Sequence, residues 1–165
     1  MTEFHFWSIV QCLILLTLAN GVPVLAKKML GDWLVWPIDG GWLFWDGRPL
    51  LGRSKTLRGL VLAIMAAAMG GPLVGLDIET GALVGLNAMI GDMLSSFIKR
   101  RLRLAPSAEA PGLDQVPESL LPFLAVKNLV GFSGWDILIG VGAFWIGELV
   151  FSRLLYMLRI RDRPY

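Results

Sequence analysis

The chain has 165 residues, of which 55% are hydrophobic and only 17% charged, and its mean hydropathy is +0.63. Soluble domains carry about 25% charged residues, so the composition points to a bilayer. Five helices of about 20 residues would use about 100 positions and leave no room for a separate soluble domain. The single Cys12 excludes a disulfide framework, and the seven Trp exclude disorder. The net charge of +2 says nothing as a total; the placement of the charges says much more.

The expected fold is an all-α integral membrane protein of about five transmembrane helices in a single membrane domain, 1–165. The first span, about Phe6 to Ala26, is not a signal peptide, because Glu3 and His5 stand where a basic segment should and no small-residue cleavage site follows. The first loop, 27–58, is rich in Gly, Asp and basic residues. The second and third spans, about 59–76 and 81–98, contain small residues that let helix backbones approach closely in lipid. A second loop, 99–117, precedes a short fourth span at about 118–132, which carries Pro122 and Lys127. The fifth span runs from about 136 to 157 and is interrupted by Glu148. No internal repeat is evident.

Every Lys and Arg except Lys127 falls in the first loop, the second loop or the C-terminal region from Arg153 onward. Positive charge is retained on the cytoplasmic side. The N-terminus is therefore expected outside, and the C-terminus and both loops on the cytoplasmic face of the cell membrane.

Asp92 lies about 16 Å of helix into the third span, where an ionised carboxylate needs a partner, water or a metal. Ser95, Ser96 and Lys99 follow at three, four and seven residues, which places them on the same helical face. Glu148 reaches a similar depth on the fifth span and is read either as a packing residue or as a group facing the same interior. Lys127 is near enough to the outer boundary to snorkel. His5 and Cys12 form no metal or nucleophile pattern in the sequence.

In the first loop, Asp39, Asp46 and several glycines accompany Arg48, Arg53, Lys55 and Arg58. Glycines let backbone approach a ligand, while Arg forks and Lys point charges suit phosphate. The segment Gly52 to Thr56 lacks P-loop spacing. Trp33, Trp36, Trp42 and Trp45 suit a water–lipid interface better than base stacking. Asp114 begins a further acidic element in the second loop. With Asp92, Asp39 and Asp46, it supplies enough carboxylates for Mg²⁺ sites that also hold substrate phosphates. This combination suggests chemistry on a phosphorylated lipid with a water-soluble nucleotide.

Gly91-Asp92-Met93-Leu94-Ser95-Ser96-Phe97-Ile98-Lys99-Arg100 resembles the G-D-x-x-x-S-x-x-K-R segment of CTP-dependent phosphatidate cytidylyltransferases. Together with Ala19-Asn20-Gly21-Val22-Pro23, the Pro37-to-Gly41 stretch and Asp46-Gly47-Arg48 through Arg58-Gly59, it is similar to the smaller CDP-archaeol synthase family. The resemblance implies transfer of the cytidylyl group of CTP to an archaeal-type ether lipid phosphate, with Mg²⁺, giving CDP-lipid and pyrophosphate.

It also implies Asp92, Ser96, Lys99, Arg100 and Lys55 as catalytic residues. Arg48, Lys55, Thr56, Arg58, Lys99 and Arg100 would bind phosphate, and Asp92 and Asp114 metal. Asn20, Asp39, Asp46 and Gln115 are further polar candidates. The family's D-Q/R-x-D element departs here, with Pro117 in place of its second acid and Glu118 one residue later, which makes Glu118 the candidate third metal ligand. The P-G-H-G-G segment of the larger phosphatidate enzymes is absent. The expected partners are CTP and a membrane lipid phosphate, without nucleic acid. Two other classes fit parts of the pattern. A small transporter or flippase would use Asp92, Glu148 and Lys127 along a path, and a scaffold would use the basic loops to recruit acidic partners.

Overall fold

The computed structural model describes residues 5–105, 108 and 110–157, apart from the side chains of 151 and 154–156. The basic residues Arg159, Arg161 and Arg163, and the acidic Glu3, lie outside the described residues. Helices carry the described chain: α1 (Phe6–Leu30), α2 (Leu57–Leu73), α3 (Ile78–Arg101), α4 (Gln115–Ala125), α5 (Lys127–Val130) and α6 (Gly134–Met157). Isolated bridges join Pro37 to Thr56 and Leu43 to Pro49 in the first loop. Among the described residues, α1 and α3 are long and apolar enough to cross a membrane, and α2 is a shorter apolar helix.

The helix ends differ from the sequence expectation for local reasons. The first helix continues through Lys27 and Lys28 to Leu30, because cations in a last turn favour the negative end of the helix dipole. It stops at Gly31, whose φ of 54° suits glycine and whose N–H closes onto the Lys27 carbonyl. The start of α2 is set by Thr56, whose hydroxyl accepts from the Gly59 N–H at 3.2 Å. Its end comes earlier than expected, at Leu73, just after Gly70-Gly71-Pro72. Asp77 then caps α3, accepting from the Thr80 N–H at 2.6 Å and the Thr80 hydroxyl at 3.1 Å.

The fourth segment is the largest departure. Instead of one continuous helix over 118–132, the chain forms the 11-residue α4, breaks at Val126, and adds the short α5 before Gly131 turns it with a φ of 83°. Eleven helical residues extend about 16 Å, half of a hydrocarbon core. The Pro122 ring removes one backbone donor from α4, and the Val126 N–H reaches back to the Pro122 carbonyl.

Small residues determine how the helices pack. α3 contacts α1, α2 and α4, and α6 contacts α1 and α4. A Cβ on Gly85 would lie 3.0 Å from the Ala63 carbonyl oxygen and 2.9 Å from the Ala67 methyl, so α2 and α3 touch backbone to backbone. On the opposite side, a Cβ on Gly91 would run into the Pro117 carbonyl and the Glu118 Cα. Gly140 of α6 leaves room for the Phe123 ring, which also packs 5.2 Å from Phe132.

Around an apolar core that includes Leu15, Leu16, Val84 and Phe123, the exterior is itself largely apolar and several polar groups are buried. Lys99, Arg100, Gln115 and Glu118 are buried, whereas Leu86, Ile90 and Leu94 of α3 and Leu138 and Ile146 of α6 are exposed. Soluble folds rarely bury Lys, Arg and Glu. An apolar exterior around polar interior groups is the arrangement a bilayer requires.

His5, which belongs to no pattern in the sequence, gains a buried partner in the fold. Its backbone N–H and ring Nδ1 both lie 3.2 Å from the fully buried Asp136 carboxylate, which also accepts from the Ser133 N–H and hydroxyl at 2.8 Å. This cluster joins the start of α1 to the start of α6.

Candidate active site

The first loop is folded around Asp39. Its carboxylate accepts from the N–H groups of Gly41 at 3.0 Å, Leu51 at 2.9 Å and Gly52 at 3.1 Å. Burial opposes ionisation of this group, but the three amides outweigh it and hold the carboxyl below the usual carboxylate range. The Ile38 N–H donates to the Lys55 carbonyl, and the Leu57 N–H to the Trp36 carbonyl, each at 2.9 Å. These bonds place Lys55 directly before the cap of α2.

From there the Lys55 ammonium meets both oxygens of Asp92, at 2.6 and 2.5 Å. Helix α3 presents Asp92 where Gly91 lets α4 come closest, so Glu118 is brought near. The Glu118 side chain is only 8% exposed, and it lies within electrostatic reach of Asp92, Glu148, Lys55 and Asp114. The structure thus draws Glu118 and Glu148 toward the same interior as Asp92.

One helical turn further, Ser95 fastens the second loop. Its hydroxyl lies 2.7 Å from the Leu113 carbonyl and 3.0 Å from the Gly91 carbonyl. Ser96, the residue that matches the motif, is buried beside it on α3. Lys99 forms an ion pair with Asp114 at 2.7 Å and donates to the Ala108 carbonyl at 3.1 Å. Arg100 donates to the Ala105 carbonyl at 2.9 Å. Gln115 receives the Gly112 N–H at 2.8 Å, and Asp114 receives the Ala110 N–H at 3.2 Å.

Arg48, Thr56, Arg58 and Asp46 hold the framework. Arg58 donates to the carbonyls of Gly31 and Trp33, securing the end of α1. Arg48 reaches the carbonyls of Arg100 and Arg101, both at 3.4 Å. Thr56 caps α2, and Asp46 accepts from the Arg48 N–H at 3.1 Å. Asn20 is half-buried on α1, one turn before Pro23, which abuts Gly59.

Arg101 carried no functional assignment in the sequence reading. It pairs with Asp46 at 2.7 Å, donates to the Pro49 carbonyl at 2.7 Å and lies over the rings of Phe44 and Phe97. Helical spacing brings Phe97, four residues upstream, to the same face as Arg101, but nothing local reveals Phe44, Asp46 and Pro49, which lie more than fifty residues upstream.

No group of three or more His, Cys, Asp or Glu side chains is arranged as a metal cage among the described residues. Asp92 and Asp114 instead each face their own lysine. The site therefore holds acids and bases in matched pairs across three elements, beside the buried Glu118.

Against known proteins, residues 7–165 match the family model described as CarS-like, CDP-archaeol synthase. The chain belongs to the CDP-archaeol synthase family. A CDP-archaeol synthase of Aeropyrum pernix is 32% identical over 99% of this chain and 96% of its own length. One from Hyperthermus butylicus is 47% identical over 107 residues, which cover 59% of each chain. A solved structure described as an intramembrane enzyme for archaeal membrane lipid biosynthesis matches with a TM-score of 0.69 at 29% identity, covering 84% of this chain and 91% of the other. The chain is accordingly a membrane enzyme, a CTP-dependent cytidylyltransferase acting on a lipid phosphate in lipid biosynthesis. The transporter and scaffold readings are not favoured.

Proposed function

We propose that the lipid substrate is an unsaturated, ether-linked isoprenoid glyceryl phosphate of the archaeal type, and that the reaction takes place around Asp92. The observation that carries the placement is the Lys55–Asp92 pair beside buried Glu118, where the first loop, α3 and α4 meet. A lipid phosphate oxygen attacks the α-phosphorus of CTP. The new P–O bond forms as the bond between the α-phosphorus and the bridging oxygen breaks, and that oxygen leaves with its electron pair on pyrophosphate. The phosphate is already ionised near neutral pH, so neither a protein nucleophile nor a general base is needed. Positioning and charge neutralisation supply the catalysis.

Lys55, Lys99 and Arg100 are assigned to the phosphates, with Arg48, Thr56 and Arg58 at the margin of the site. When CTP enters, its triphosphate competes with Asp92 and Asp114 for Lys55 and Lys99. Asp92 and Glu118 would hold Mg²⁺, with Asp114 assigned as a further ligand from the second loop. This donor set suits the ion, which commonly takes one or two carboxylates together with phosphate and water oxygens. Bound there, Mg²⁺ would supply Lewis-acid stabilisation of charge on the phosphates. Glu118 would take the place of the acid that Pro117 displaces. Ser96 orients a phosphate, Asp39, Asp46 and Gln115 shape the loops around the nucleotide, and Asn20 is assigned to the α1 side of the site.

Both loops, 27–58 and 99–117, face the cytoplasm, with the N-terminus outside and the C-terminus inside the cell membrane. The support for this is the Lys/Arg distribution, and it puts the site on the side where CTP is found.

The assay uses purified protein, Mg²⁺, labelled CTP and lipid phosphates with ether or ester linkages. Formation of CDP-lipid with the ether-linked isoprenoid substrate, and much less with the ester, is expected. Equal turnover of both would overturn the substrate assignment. Full activity in Asp92→Asn would overturn the placement of the site.

A further inference from the structure

The hairpin at the tip of the first loop, residues 42–50, has an outer surface that the transfer reaction does not explain. Trp45 is 98% exposed, yet it stacks on Phe44, with ring centroids 5.7 Å apart. Phe44 in turn meets Phe97 of α3 edge-on at 5.4 Å. Phe97 lies at the end of a row of exposed apolar side chains on α3, namely Leu83, Leu86, Ile90 and Leu94. On an apolar helix that crosses a bilayer, such a row faces lipid. The sequence Leu94, Phe97, Phe44, Trp45 therefore continues a lipid-facing stripe past the last turn of the helix.

Beyond Phe97 the character changes to that of a headgroup region. Arg101 is held between the rings of Phe44 and Phe97 and neutralised by Asp46. Leu102 and Arg103 are exposed next to it. Aromatic rings with an adjacent cation are the usual composition at the boundary between acyl chains and water.

We propose that hairpin 42–50 is a membrane foot, with Trp45 seated in the headgroup interface of the surrounding bilayer. The foot is rigidly attached to α3, since Arg101 also grips the Pro49 carbonyl and Arg48 reaches the carbonyls of Arg100 and Arg101. It connects to Lys55 through the Asp39 knot at Leu51 and Gly52. The position of the catalytic loop is thereby referred to the plane of the membrane. This inference rests on the chain spanning a bilayer and not on the reaction assigned above, so the transfer assay and the following measurement can fail separately.

The test uses the full chain with every tryptophan except Trp45 replaced by Phe. It is reconstituted into vesicles of phosphatidylcholine and phosphatidylglycerol with acyl chains brominated just below the headgroup. Blue-shifted Trp45 emission, quenched by the brominated lipid and protected from aqueous iodide, is expected. Emission quenched by iodide but not by brominated lipid would overturn the proposal. So would protection from both quenchers together with a cross-linkable dimer, which would make the surface a contact between two copies. Should that variant fail to fold, Trp45→Cys in a Cys12→Ala background carries a nitroxide label with the other tryptophans intact. Greater accessibility to dissolved oxygen than to a water-soluble nickel chelate supports the foot, and the reverse ratio overturns it.

Discussion

A carboxylate within a membrane helix is stabilised only by the groups that face it, and half-buried Asp92 has an ammonium on one side and the buried Glu118 nearby. Asp92→Asn keeps the shape but removes the charge that holds Lys55, and it should lower cytidylyl transfer by about 10²–10³-fold, as removal of a single electrostatic contributor does in other enzymes. Steady-state turnover measures this, and an unchanged elution volume in detergent shows that the fold persists. Glu118→Gln should also reduce turnover if its charge, and not its volume, is what the site uses.

Asp39 makes a different prediction. Its carboxyl is held below its ordinary value in the fold, so its contribution is fully present above the unfolded value of about 3.9 and is lost as pH falls through the lower folded value. Thermal unfolding of the wild type in detergent should therefore lose stability on acidification below about pH 4. Asp39→Asn should be less stable at neutral pH and lack that component of the acid dependence.

At the level of elements, α3 works as a spine with two kinds of contact. On one face Gly81 and Gly85 admit α2, and on another Gly91 admits α4 at Pro117–Glu118. Gly91→Ala places a methyl group against the α4 backbone, which cannot swing aside as a side chain would. The expected loss is about 1–3 kcal/mol of stability, with loss of turnover because Asp92 and Glu118 are separated. Gly142→Ala on α6 meets nothing within 4 Å and serves as the control, with little change expected. Unfolding midpoints of the two variants in the same detergent compare them directly. The same spine fastens both loops through Asp92, Ser95, Lys99 and Arg101.

For the whole molecule, the governing fact is an apolar exterior: leucines line the outside, while Lys99, Arg100 and Glu118 are buried where the loops meet. In a bilayer this arrangement incurs no penalty for exposed apolar surface, and it keeps the polar site reachable from one end. If that end is cytoplasmic, cysteines introduced at the exposed positions 53 and 128 in a Cys12→Ala background will react with impermeant reagents from opposite sides. Arg53→Cys should be labelled only when the cytoplasmic face is accessible, and Asn128→Cys from outside. Labelling of both from the same side would overturn the topology.

Composition pointed to the membrane class, and contiguous apolar runs of about 20 residues made it legible, because a bilayer selects on unbroken apolar segments. The stripe Asp92, Ser95, Ser96, Lys99 was also legible, since a helix brings residues at these spacings to one face without help from the rest of the chain. The motif residues around it were enough to name the family. What only the tertiary structure decided depends on contacts between distant segments. It divided the fourth segment at Val126, joined His5 to Asp136, matched Lys55 with Asp92 and Lys99 with Asp114, and drew Phe44 of the first loop onto Arg101. Helical periodicity carries no information about which of several lysines a carboxylate will meet; that choice follows from where Gly85 and Gly91 allow the backbones to touch.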